Sequence, residues 1–194
     1  MKHIIVGFLV AVLSIFRLPV KAAGKAITRI ADSTLTLKNQ IDSVAFHVDG
    51  FAQQFVEYAK NFIGVKYRWG GATNPQAGLD CSGFVNYISK HFDISVPRTA
   101  AQFTDLGLEV NVDSAQTGDL ILFKGGNARS KKIGHMGIVV ENSNDGLEFI
   151  HSSSGHKMGV HISELAGYYK QRLVKIIRIF PLSGNAVMGY QKAV

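Results

Sequence analysis

Cysteine is almost missing from this sequence: Cys81 is the one thiol in 194 residues, so no disulfide can form within the chain. Long charged runs are missing too. No Lys/Arg run exceeds Lys131-Lys132, and neither a zinc-finger pattern nor an RNA-binding aromatic motif occurs, so the usual footprint of a nucleic-acid binder is not there. The net charge of +7 then reads as a basic surface suited to an anionic polymer or membrane surface, or as a merely solvated one. With no C-x-x-C and no H-x-x-x-H, the scattered Cys81, His135, His151 and His156 make a poor metal site, and neither metal nor cofactor is expected. There is no internal repeat and no low-complexity tract.

No uninterrupted apolar run reaches the ~20 residues that a membrane-spanning helix needs. The longest, Ile4 to Phe16, follows a basic start at Lys2 and precedes Pro19 and the small residues Ala22 and Ala23. That layout predicts a secretory signal over residues 1–22, cleaved after Ala22, with an uncleaved anchor as the alternative route to a membrane. No cysteine stands nearby to carry a lipid. Export to the periplasm or cell envelope gives the lone thiol its meaning: in an oxidising compartment it is free, paired between molecules, or catalytic.

What remains is enough apolar material, 46% of residues, for one well-buried domain. Residues 23–50 show no clean period and read as a linker or loosely packed extension. Phe51, Phe55, Tyr58 and Phe62 then recur at helical spacing, a core stripe closed by Gly64. Arg68 to Leu79 carries three glycines and a proline and reads as a tightly turning loop. It delivers the chain to a second helix, in which Cys81, Phe84, Val85, Ile88 and Phe92 share the apolar face. After Pro97 come short β-type runs, 120–123, 136–140, 147–150, 160–162 and 174–180. Helices first and closely spaced strands after predict an α+β domain with an antiparallel sheet, over residues 51–182, followed by a tail at 183–194.

Cys81 opens its helix, where unpaired N–H groups and the helix dipole stabilise thiolate, although Asp80 opposes this unless it turns to cap the backbone. A small core cysteine is the bland alternative. It weakens if a base stands near, and histidine is the usual one. His3 leaves with the signal, His47 lies in the extension and His91 on the polar flank of the helix. His135 opens the strand HMGIVVE, and His151 ends the next one, LEFIHSSS. A three-residue loop of Asn144-Asp145-Gly146 puts the two on one sheet face and a two-residue Asp145-Gly146 turn puts them on opposite faces. Even in the favourable parity they stand on the order of 13 Å apart along the strand, so contact needs a bulge or a longer loop. If they do touch, Cys81 attacks a carbonyl, His135 takes and returns the proton, and His151 fixes the tautomer of His135.

Six elements in order, YRWGG (67–71), LDCSGFV (79–85), VPRTAAQF (96–103), GDLILF (118–123), GHMGIVV (134–140) and FIHSSS (149–154), resemble the NlpC family of bacterial cell-wall cysteine endopeptidases over about residues 52–180. The resemblance implies a papain-like NlpC-type core with the nucleophile helix on an antiparallel sheet, His135 as base and His151 as the orienting residue. It also implies that Tyr67 helps bind the oxyanion with the backbone N–H of Cys81, and that Arg98 lines the substrate groove or only holds its loop. The implied reaction is hydrolysis of an amide bond in peptidoglycan stem peptides, either D-glutamyl-diamino acid or a cross-link, by a monomer. Two alternatives are a thiol acyltransferase acting on lipids, which would need an apolar tunnel, and a non-catalytic wall-binding protein, which would be expected to have lost Cys81 or His135. The polar, basic loop 124–134 and a hairpin before His151 that looks somewhat long set this sequence apart from the family pattern.

Overall fold

The computed structural model describes residues 20–126, 132–155 and 157–179. Most of the expected signal, the tail at 183–194 and His156 lie outside the described residues. Contacts divide the chain into residues 1–43 and 44–194. In the first unit residues 20–43 are helical, and every side chain from 28 to 43 is exposed.

This helix is the start of α1 (Val20–Lys60), so residues 23–50, read as a linker or loosely packed extension, are helical. The stretch from Lys25 to Asp49 contains neither glycine nor proline, and nothing in it breaks a helix even though its apolar period is poor. Its hydroxyls turn back on the helix's own carbonyls: Ser33 donates to Arg29 O at 2.8 Å and Thr36 to Asp32 O at 2.9 Å. At the far end α1 closes at Lys60, four residues before Gly64. Asn61 to Gly64 form a turn that ends on Gly64 at φ 90°.

In the second unit α2 (Cys81–His91) matches its predicted start. Asp80 is the N-cap, accepting from the Gly83 amide at 2.6 Å. At the other end Phe92 is the C-cap and Asp93 takes the left-handed conformation, with φ 57°. Ile94 N–H then donates to Ser89 O and Asp93 N–H to Lys90 O, which consumes the last carbonyls of the helix.

Six strands form one antiparallel sheet: β1 (Leu108–Val110), β2 (Leu120–Lys124), β3 (Ile133–Ser143), β4 (Gly146–Ser153), β5 (Gly159–Glu164) and β6 (Leu173–Arg178). Their order is β1-β6-β2-β3-β4-β5. A short helix, α3 (Gly167–Arg172), joins β5 to β6. The predicted α+β architecture is therefore present, with β1 and α3 as additions that the apolar pattern did not announce. β1 is half exposed and α3 has only six residues, too few for a period to register.

Both sheet faces are covered. On one, Phe55, Val56 and Ala59 of α1 and Phe84, Val85 and Ile88 of α2 pack with Leu120, Leu122, Met136, Ile138, Ile150 and Ile177. On the other, Ile121, Phe123, Val139, Phe149 and Ile176 pack with Tyr169 and Leu173. Alternation along β2 thus feeds two cores, which is why LILF reads as a continuous apolar run.

The β3–β4 hairpin settles the register left open above. Ser143 pairs with Gly146 across only two residues, Asn144 and Asp145, so the hairpin is short rather than long, and neither of the two anticipated turns is used. Alone, this turn would leave His135 and His151 on opposite faces. A bulge between Val139 and Glu141 shifts the ladder by one residue, so that Ile138 pairs with Ile150. Continued one step, that register sets His151 opposite Gly137, two residues from His135 and on its face.

Candidate active site

The loop before Cys81 is held by backbone contacts that only small residues permit. Asp80 N–H donates to Gly71 O at 2.9 Å, and a Cβ on Gly83 would collide with that same carbonyl. Ser152 of β4 donates to Leu79 O at 2.7 Å and ties the loop to the sheet. The Asp80 carboxylate is saturated: it accepts from Gly83 and Gly70 amides and from both terminal nitrogens of Arg98, at 3.1 and 2.7 Å. Arg98 also donates to Ser82 Oγ. Arg98 thus holds the Asp80 cap, the second of the two roles open to it. The bidentate pair raises its guanidinium above the ordinary value.

Cys81, 8% exposed, lines a cleft of about 630 Å³ together with Tyr67, Trp69, His135, Ser163 and Tyr169. Burial pushes the thiol up to about 11 and the charge of Asp80 adds to this. The N–H groups of Ser82, Met136 and Cys81 itself act in the opposite direction, as expected of a sulfur at a helix amino terminus. Met136 directly follows His135, so the sulfur is held against the strand that carries the base candidate.

His135 Nε2 lies 2.8 Å from His151 Nδ1. The far nitrogen of His151, Nε2, lies 3.0 Å from Ser163 Oγ and 3.4 Å from the Tyr169 hydroxyl. With both nitrogens of His151 engaged and Nε2 of His135 facing it, Nδ1 is the His135 nitrogen left for the cleft. Burial, then the positive charge of Arg172 and the neighbouring His161, lowers His135 to about 4. Burial, then His135 and His161, lower the fully buried His151 to about 2. Both shifts favour neutral imidazoles, and that of Cys81 favours the protonated thiol.

Tyr67 pairs with Leu79 in an isolated bridge, which brings its side chain close enough to Cys81 and Asp80 to feel both. Burial raises its phenol above the ordinary value, those two charges add to the rise, and a hydrogen bond to Ser154 opposes it. Tyr67, Cys81, His135 and His151 are thus brought together. Ser163, Tyr169, Trp69 and Arg172 join them unannounced by the sequence. Ser163 had a usable signal, since alternation along β5 places it and His161, which pairs with His151, on one face. Among the described residues no cluster of His, Cys, Asp or Glu could hold a metal ion.

The NlpC/P60 family model matches residues 64–178. The murein DD-endopeptidase MepS/murein LD-carboxypeptidase of Escherichia coli is 30% identical over 161 residues, covering 82% of this chain and 79% of that protein. The probable endopeptidase NlpC of Escherichia coli is 36% identical over 114 residues, 58% of this chain and 68% of its own. The crystal structure of an NlpC/P60 family protein from Bacillus cereus superposes with a TM-score of 0.59 at 30% identity, over 67% of this chain and 40% of that one. The chain thus spans less than half the length of that solved relative.

Proposed function

Since the chain belongs to the NlpC/P60 family, we propose that it is a cysteine endopeptidase that hydrolyses amide bonds in peptidoglycan stem peptides. The observation that carries this reading is a cleft lined both by a cysteine at the first position of a helix and by a histidine whose far nitrogen is held by a second histidine.

In the productive tautomer His135 Nε2–H donates to His151 Nδ1, and His151 Nε2–H donates to Ser163 Oγ. His135 Nδ1 is then a lone pair ready to accept the proton of Cys81 as the sulfur attacks the scissile carbonyl. The negative oxygen is met by the Cys81 N–H and the Tyr67 hydroxyl. His135 returns the proton to the departing amine, and a water activated by the same nitrogen frees the acyl group. The neutral resting pair makes proton transfer concerted with attack, rather than prior to it. Cys81 lowers its own barrier only when an electrophile is in place.

The cleft supports peptide over lipid: it is edged by Lys124, Lys157, Ser153 and Ser154 and is no apolar tunnel. The bond cut is the D-glutamyl-diamino acid bond or a stem cross-link, in keeping with relatives named as DD-endopeptidase and DL-endopeptidase. Residues 1–22 serve as an export signal to the periplasm or envelope, 51–182 as the peptidase domain and 183–194 as a tail, in a protein that acts as a monomer.

Incubation of the chain with purified muropeptides, followed by mass spectrometry, tests the reading. Release of a dipeptide or of uncross-linked stems, abolished in Cys81→Ala, is expected; intact muropeptides after prolonged incubation with a thiol that alkylates normally would sink it.

A further inference from the structure

Arg172 ends α3 with only 8% of its surface exposed, yet it lines the cleft. A buried guanidinium needs partners for five N–H donors, and in proteins a carboxylate commonly supplies two of them. Here the partners are one carbonyl, Lys124 O at 3.2 Å, and the face of Tyr168, whose ring centre lies 5.0 Å from the guanidinium carbon. Among the described residues no Asp or Glu forms an ion pair with Arg172, and none lines the cleft, which carries Lys124 and Lys157 as well. The remaining nitrogens of Arg172 are not sealed in the interior, since Ser89 Oγ is the one buried side-chain polar atom without a partner among the described residues, so they face the cleft that Cys81 also lines, and a cation placed there is half of a binding site.

We propose that Arg172 anchors a free carboxylate of the substrate, so that the cleft selects peptides carrying an ionised carboxylate near the scissile bond over the same peptides with that group amidated. The inference rests on the peptidase reading and names what that site recognises. Bidentate pairing of guanidinium with carboxylate fits the open donors, and Lys124 and Lys157 reinforce the preference for an anion. There is a second effect. Arg172 lies close enough for its charge to oppose protonation of His135. A carboxylate docked on Arg172 offsets that charge, so the correct substrate eases the very proton transfer that its cleavage requires. An amidated peptide pairs with neither the cation nor the base in this way.

Calorimetric titration of the full-length Cys81→Ala chain tests the anchor without turnover. The ligands are a synthetic stem tetrapeptide with free carboxylates and the same peptide amidated at the glutamyl or at the diamino acid carboxylate. One of the amidations is expected to weaken binding on the order of tenfold to a hundredfold, the range of a hydrogen-bonded charge. Adding Arg172→Met should make the affinities for acid and amide converge, and Arg172→Lys should restore part of the difference. Equal affinities in the Arg172 parent, no measurable binding of any of the peptides, or a preference that survives Arg172→Met overturns the proposal, and the first two comparisons need no Arg172 variant to fold. Hydrolysis by the unsubstituted chain separates the two readings: cleavage without preference removes the anchor alone, and discrimination in binding without cleavage removes the peptidase alone.

Discussion

At Cys81 burial and the helix amino terminus pull in opposite directions, and burial wins, with the thiol up at about 11 while His135 is down at about 4. An ion pair would titrate as a bell around neutrality. Here the base is ready as soon as His135 loses its proton, near 4, and the thiol keeps its own until about 11. The expected dependence of kcat/KM on pH is a broad plateau through neutrality, with an acid limb well below 6.5. A kinetic series on one muropeptide checks it, and an acid limb at or above 6.5 would contradict the neutral pair. At this scale the sequence was informative: a lone cysteine beside Asp80 and two strand histidines were enough to nominate the site. Ser163 carried a signal only through its alternation with His161, and Tyr169 and Arg172 were not legible, because both sit on a six-residue helix with no chemistry of its own in the pattern.

The β3–β4 hairpin shows where reading by element succeeds and where it stops. Alternation located both strands, but the face of His151 depends on one extra residue at the bulge, and a bulge leaves no mark on a period of two. Gly137 is the other half of that geometry. A Cβ there would stand 2.8 Å from Ile150 O, 2.8 Å from Phe149 Cδ2 and 3.1 Å from His151 Cβ, so the glycine clears the space across which the two imidazoles meet. Gly137→Ala is expected to cost about 1–3 kcal/mol in urea unfolding, as overpacking does, and to lower kcat more than it changes KM. Unchanged stability and turnover would show that the strands give way freely. The α1 helix failed the pattern for the opposite reason: its amino-terminal half has exposed Ile30, Leu35, Leu37 and Ile41 spread among polar residues, so helix-permissive residues, not an apolar stripe, decided it.

In the unit that carries the cleft, His151 is buried on the sheet face it shares with Phe149, beside Tyr169, with no exposed surface. An unfolded chain has a histidine of ordinary basicity, near 6.5, whereas folding lowers His151 to about 2. Between those values the unfolded state binds more protons, so the stability from the neutral imidazole is complete above 6.5 and drains as pH falls. The loss is on the order of 1.4 kcal/mol per pH unit for that group. Urea unfolding at about pH 7.5 and about pH 5 should therefore differ in favour of the higher pH, with roughly 2 kcal/mol from His151 and a change of the same sign and similar size from His135, which folding also lowers; equal midpoints would count against the neutral buried imidazoles. The lone thiol is nearly as buried, at the wall of the cleft, and its protonation has a bearing on durability. The thiolate is the form that attacks peroxide and disulfides, and a chain with one cysteine has no second thiol to rescue a sulfenic acid. In the mechanism proposed above the sulfur surrenders its proton only to a bound substrate and is spared between turnovers, so burial that makes a reluctant nucleophile also makes a lasting one.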